Sequence, residues 1–118
     1  MGQFTRPITL IGPSGERETL DGLVDTGALF TVIPTPVLER LGVRPLRTMP
    51  VRLANGAVER WPLGQVDAEL EGQPRTPILC LFGSPDAPPL IGAHTLEAFL
   101  LTVDPVEQKL VPKEAYLM

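Results

Sequence analysis

The amino-acid sequence predicts a mainly all-β fold with one or two short helices. Fourteen prolines and eleven glycines divide its 118 residues into short pieces. Most of those pieces are strand-length, apolar and β-branched. Between two of them stands Asn55-Gly56, the strongest two-residue hairpin signal a sequence can carry.

Residues 3–11 and 16–24 flank the turn cluster Gly12-Pro13-Ser14-Gly15 and are expected to pair as a first hairpin, whose second strand delivers Leu23-Val24 to Asp25. Thr31-Val32-Ile33 reads as the next strand. Thr35 is then the expected N-cap of a short helix, with Pro36 at its first position and Gly42 closing it. Residues 49–54 and 57–61 bracket Asn55-Gly56 in a mostly polar hairpin, with a type I′ turn expected because that turn needs positive φ at both positions. Val66, Ala68 and Leu70 alternate with Asp67, Glu69 and Glu71, the pattern of a half-exposed strand. A turn at 72–74 leads to residues 77–82, which are continuously apolar and read as a buried strand. GSPDAPP is a loop and LIG a short apolar strand. AHTLEAFL is a second short helix, with Leu96, Phe99 and Leu100 expected on one side. LLTVDPVEQKLVP closes the chain as a hairpin around Asp104-Pro105. With no internal repeat or linker, and too few residues for two ordinary cores, residues 1–118 are read as one domain.

Composition removes several function classes. Only 20% of residues are charged and the net charge is −4, so no basic footprint for nucleic acid is present. No apolar run approaches the ~20 residues that cross a bilayer, and no membrane association is expected. A single cysteine forbids an internal disulfide, and the start MGQFTRPITL lacks a signal-peptide pattern, so the expected location is cytoplasmic. Cys80 and His94 are the only cysteine and histidine and have no clustered carboxylates, so neither a metal nor any other cofactor is expected. No Gly-x-Ser-x-Gly elbow accompanies His94, which is read as a surface residue at a helix start. Cys80, inside PILCLF, is read as a small buried thiol.

The stretch that carries chemistry is LVDTGALFTVIP at 23–34, which brings a carboxylate to the end of an otherwise buried strand. Asp-Thr-Gly alone is also an ordinary turn sequence, and in a chain of this length it arises by chance on the order of a few times in a hundred. Here, however, Leu-Val precedes it, an apolar strand follows it, and a second apolar-apolar-Gly element, Leu90-Ile91-Gly92, runs into a helix.

Together, LVDTGALFTVIP, the Asn55-Gly56 hairpin and LIGAHTLEAFLLTVDP resemble the retropepsin-like aspartic proteases, including bacterial single-domain members. That resemblance implies a closed acid-protease β-barrel working as a homodimer, each subunit contributing one Asp-Thr-Gly loop to a shared site. By it, Asp25 is the catalytic aspartate, Thr26 braces the paired loops and Gly27 lets the backbone approach substrate. The 49–61 hairpin becomes a flap with Ala54, Asn55, Gly56 and Ala57 at its tip; Ala28, Leu29, Phe30 and Ile91 join them as substrate-binding positions. It also implies an interface built partly from the chain ends, Met1 to Thr5 and Ala115 to Met118, with fraying of those ends the other reading.

The chemistry accounts for the residue types independently. Two carboxylates held within a few ångströms share one proton, supplying a base for water and an acid for the scissile amide. One Asp cannot do this alone. The other aspartates, Asp21, Asp67, Asp86 and Asp104, lie in turn or exposed-strand contexts, so the second carboxylate is expected from another copy across a two-fold axis. The sequence also departs from the retroviral pattern, which carries acidic or small polar residues after the Ala and an Arg after the second-half Gly. Those positions here are Leu29, Phe30 and Ala93. Leu29 and Phe30 are read as core, with an apolar pocket beside Asp25 as the other possibility; Trp61 either packs beneath the flap or anchors its strand. The expected function is peptide hydrolysis by a homodimeric aspartic endopeptidase acting on peptide or unfolded-protein substrates. Its alternatives are a non-catalytic dimeric module for peptide binding or assembly, with Asp25 buried and protonated, and a small β-barrel with an ordinary Asp-Thr-Gly turn.

Overall fold

The computed structural model describes residues 3–113. Strands β1 (Thr5–Ile11) and β2 (Arg17–Val24) form the first hairpin, paired from Thr5↔Leu23 to Ile11↔Arg17. β3 (Thr31–Pro34) leads directly into α1 (Thr35–Arg40). β4 (Pro45–Arg52) and β5 (Val58–Leu70) make the long hairpin, followed by β6 (Thr76–Gly83), β7 (Leu90–Ile91), α2 (Ala93–Ala98), β8 (Leu101–Asp104) and β9 (Lys109–Pro112). The main sheet has the order β1-β2-β7-β3-β6-β5-β4, and β1 also pairs with β5, so six strands return on themselves as a ring with β4 outside it. β8 and β9 pair separately.

Alternation builds the core. Ile8 and Leu10 on β1 and Ala68 and Leu70 on β5 point inward with essentially no exposure, and Ile33, Leu38, Ile78, Cys80 and Ile91 join them. Each fully buried Leu or Ile contributes about 1.5–3 kcal/mol relative to exposure. The intervening residues face water: Thr9 and Thr19 share a hydroxyl hydrogen bond of 2.8 Å, and Arg17 on β2 reaches across β1 to Glu69 on β5 at 2.7 Å. That ion pair lowers the Glu69 carboxyl and raises the Arg17 guanidinium, chiefly through the hydrogen bond between them. Both groups are solvent-exposed, which leaves the pair little weight in stability.

Several sequence expectations are corrected by local geometry. Residues 57–61 and 66–70 are not separate strands; they are the two halves of the 13-residue β5, which pairs with β4 first and with β6 and β1 afterwards. The Asn55-Gly56 turn is not type I′. Only Gly56 of the two has a positive φ (88°). The Gly56 N–H donates to the Leu53 carbonyl and the Leu53 N–H to the Ala57 carbonyl, a three-residue loop of a tight turn plus a left-handed glycine. The doubly positive turn lies instead at Glu71 and Gly72 (φ 52° and 72°), where the Gln73 N–H donates to the Leu70 carbonyl.

Thr35 does not cap α1. Pro34 continues the β3 ladder opposite Gly83 and occupies the N-cap, while the Thr35 hydroxyl donates to the Gly83 carbonyl at 2.8 Å. Nor does Leu100 share the apolar side of α2: the helix ends at Ala98, and Leu100 adopts a left-handed φ of 55° that turns its side chain outward. Leu96 and Phe99 are buried as expected. Of the chain ends, Met1, Gly2 and Ala115 to Met118 lie outside the described residues, whereas the Phe4 carbonyl and Thr5 already pair with β2 of the same chain.

Burial pushes the Cys80 thiol up to about 12 from its ordinary 9.0. The unfolded chain therefore ionises Cys80 at lower pH than the folded one. Its contribution to stability is complete below pH ~9 and is lost as pH rises toward about 12, with a slope of up to about 1.4 kcal/mol per unit. Urea unfolding at about pH 8.5 and about pH 10.5 is expected to show wild type losing more stability than Cys80→Ala; equal losses would mean that the folded thiol ionises freely.

Candidate active site

β2 brings Asp25 to its position. Leu23 and Val24 run parallel to Leu90 and Ile91 of β7, and the Asp25 N–H extends that ladder by donating to the Ile91 carbonyl at 3.0 Å. The chain then turns: the Ala28 N–H donates to the Asp25 carbonyl (3.2 Å) and the Gly27 N–H to Asp25 Oδ1 (3.0 Å), which orients the carboxyl group. Asp25 is half-buried, and Thr26 and Gly27 are exposed. A carboxylate is thus presented on a short, main-chain-braced loop rather than on a flexible surface segment.

The far side of the loop is tied to α2. The Ala93 N–H donates to the Ala28 carbonyl (2.8 Å) and the His94 N–H to the Leu29 carbonyl (2.9 Å). Gly92 stands directly against this loop. A Cβ there would lie 2.5 Å from the Phe30 carbonyl carbon, 2.6 Å from its oxygen and 2.9 Å from the Ala28 oxygen. Thr31 and Thr95, both fully buried, share a hydrogen bond of 2.6 Å, and the Gly92 N–H donates to Thr31 Oγ1 at 3.1 Å.

Two cavities meet at Asp25. One, of about 520 Å³, is lined by Phe4, Val24, Asp25, Thr26 and Val103 among others. The second, of about 600 Å³, runs from Asp25, Gly27, Ala28, Leu29 and Phe30 to the β4–β5 hairpin. Its size suits a ligand-sized, mostly apolar group. Leu29 is 62% exposed, so it is not core; it and Phe30 line this cavity. Ala54 lines it too, while Asn55, Gly56 and Ala57 form the exposed hairpin tip, where Asn55 Oδ1 accepts the Ala57 N–H. Ile91 is fully buried and touches Asp25 through its carbonyl; its neighbour Leu90 lines the cavity instead.

Sequence reasoning passed over the underside of the hairpin. Met49, Val51 and Leu53 are half-buried and line the cavity, whereas Pro50 and Arg52 between them are exposed. Their period-two alternation was the available signal. Trp61, opposite Met49 in the ladder, packs beneath the hairpin and donates from Nε1 to Glu59 at 2.9 Å. His94 is not a surface residue: it is half-buried, its ring centroid lies 5.5 Å from that of Phe30, and its Nδ1 is buried with no partner among the described residues.

A two-residue strand threaded beside an Asp-Thr-Gly loop, with a hairpin over the adjoining cavity, defines a retropepsin-like fold. The family model described as aspartyl protease matches residues 10–95, more than half of the sequence, and the chain belongs to that family. Among solved structures it is similar to the retroviral protease-like domain of Ddi1 from Leishmania major, with 15% identity, a TM-score of 0.59, and coverage of 98% of this chain and 91% of that one. It is also similar to a retropepsin-like aspartic protease from Rickettsia conorii, with 17% identity, a TM-score of 0.54, and coverage of 88% and 89% respectively. No curated protein matches the sequence significantly.

Because the space over Gly92 is filled by main-chain atoms, a methyl group there must displace the Asp25 loop. Gly92→Ala is expected to cost about 1–3 kcal/mol in a denaturant melt; unchanged stability would show that the loop yields freely.

Proposed function

We propose that the chain is a homodimeric aspartic endopeptidase, a hydrolase in which water is activated between two Asp25 carboxylates, one from each subunit. The observation that carries this reading is the placement of Asp25: held by the Ile91 carbonyl and the Gly27 N–H, half-open to solvent, and shared by two cavities. In the paired site one carboxylate takes a proton from water as its oxygen attacks the scissile carbonyl, and the other carboxyl protonates the amide. No covalent intermediate forms.

The second copy has a natural place. Thr26 is exposed beside the cavity that contains Phe4 and Val103, so a two-fold axis near Thr26 would bring the two Asp25 side chains together and cover that apolar lining. In such a dimer Thr26 braces the paired loops and the six-stranded ring of each subunit serves as its barrel. The other cavity, under the flap, receives the peptide. Ala28, Leu29 and Phe30 form its floor, and Ala54 with the Asn55-Gly56-Ala57 tip closes over the substrate backbone. The half-open carboxyl supports hydrolysis over a module that only binds, for which Asp25 would be sequestered.

Asp25→Asn is expected to fold and to lose at least about a hundredfold in cleavage of an unfolded protein substrate. If it is mixed in equal amount with wild type and subunits exchange at random, about a quarter of the dimers keep both carboxylates, so activity per wild-type chain should fall by about half. Additive activities in the mixture would refute the shared site. The rate is also expected to follow a bell on the acidic side of neutrality, because a close carboxylate pair loses its protons in two separated steps and works between them. A rate still rising through about pH 9 would point to other chemistry.

A further inference from the structure

We infer that the buried hydroxyl pair Thr31–Thr95 is the positioning device of the Asp25 loop, setting the catalytic geometry from the side opposite the substrate. This inference rests on the hydrolytic reading of Asp25.

Besides its own turn bonds, the loop has little side-chain packing to hold it: Thr26 and Gly27 are exposed, Leu29 is 62% exposed, and only Ala28 is half-buried. Its N-terminal end is anchored by the Asp25 N–H bond to Ile91, and its C-terminal end by the bonds from Ala93 and His94 of α2 to the Ala28 and Leu29 carbonyls. The second anchor is only as good as the placement of α2, a six-residue helix with no side-chain cap. A helix this short does not hold itself in place by its own hydrogen bonds.

Thr31 and Thr95 supply what is missing. Thr31 is the first residue of β3, immediately beyond the loop, and Thr95 lies in α2 within two positions of both donors. Their oxygens are 2.6 Å apart at zero exposure, and the same Thr31 oxygen accepts the Gly92 N–H. One hydroxyl thus joins β3, the end of β7 and α2, the three segments that border the loop. A buried hydroxyl without a partner is strongly disfavoured, so the pair admits one relative placement of β3 and α2 and penalises the rest. That placement presents the Ala93 and His94 N–H groups to the loop, and misplacement of a reacting group by about an ångström can cost about a hundredfold in rate.

Neither residue touches substrate, so the test separates positioning from stability. Thr31→Val and Thr95→Val keep the shape and remove the hydroxyl, whereas Thr31→Ser keeps the hydroxyl. At temperatures where each variant is fully folded, either valine is expected to lower kcat roughly tenfold to a hundredfold with KM within about twofold. The double variant should lose no more than the worse single one, because the two hydroxyls act as a unit. Thr31→Ser should restore most of kcat. Valine variants that melt earlier yet keep wild-type kcat would overturn the inference, leaving the pair a stability element.

A second arm needs no activity. In an Asp25→Asn background, hydrogen exchange at the Ala93, His94 and Ala28 amides should accelerate in Thr31→Val more than at the β5–β6 core amides, and Thr31→Ser should keep them protected. Uniform acceleration, or unprotected amides in Thr31→Ser, would refute the positioning role. Should the wild-type protein prove to have no peptidase activity, the proposed function and the catalytic consequence would fail, while this exchange result still decides whether the hydroxyl pair positions the Asp25 loop. Should Thr31→Val fail to fold, the comparison of Thr31→Ser with Thr95→Val decides it.

Discussion

Everything at the site depends on the insertion of β7 between β2 and β3. Two residues, Leu90 and Ile91, run parallel to β2 on one side and pair antiparallel with Val32 of β3 on the other. Since β2 and β3 are consecutive in the chain, the segment joining them, residues 25–30, has to pass around the end of that inserted strand. Its course is therefore set by main-chain bonds at both ends, not by its own side chains. Gly92 is the position where the inserted chain passes closest, with the Phe30 and Ala28 carbonyls occupying the volume a side chain would need. A loop held in this way can expose a carboxylate without leaving its backbone free to wander, which is what preorganised catalysis requires.

The restraint is built from neutral groups. Where the retroviral pattern has acidic or small polar residues and an arginine, Leu29, Phe30 and Ala93 stand here, and the loop is held by the Ala28 and Leu29 carbonyls and by the Thr31–Thr95 hydroxyls. Neutral hydrogen bonds avoid the desolvation cost of an ion pair placed in an apolar wall. They also leave the cavity floor to Leu29 and Phe30. Among the described residues, the one charged residue besides Asp25 that lines that cavity is Arg52, on the exposed face of the hairpin. The wall that this cavity offers beneath the hairpin is accordingly mostly apolar.

The sequence disclosed what is local and concealed what is topological. Gly12-Pro13-Ser14-Gly15, the alternation at Val66, Ala68 and Leu70, and the apolar run at 77–82 each report a strand or turn through nearest-neighbour physics, and each strand is present. Asp25 was legible because a carboxylate between Leu-Val and Thr-Gly-Ala conflicts with the buried strand around it. The parallel pairing of β2 with β7 was not, because two residues carry no periodicity. The Thr31–Thr95 pair was equally hidden: each threonine is ordinary in its own segment, and only the fold brings them together. The Asn55-Gly56 turn type was misread because a left-handed glycine alone, following a tight turn, satisfies the same dipeptide.

β5 ties the β4–β5 hairpin to the core in one continuous strand. Its first half pairs only with β4, and both partners there are largely exposed. Leu63 and Gly64 pair on both sides at once, with Arg47 and Pro45 of β4 and with Leu81 and Cys80 of β6. The β4 register shifts between Pro45 and Arg47 at this same level, so the irregularity sits where the hairpin leaves the ring. Beyond that point, opening of the hairpin would break only its own ladder and the contacts of Met49, Val51 and Trp61, and would leave the β5–β6 pairing intact. The cavity is thus roofed by a hairpin with few ties to the core and floored by a loop bonded to it at both ends, so movement of the roof would leave the backbone around Asp25 in place.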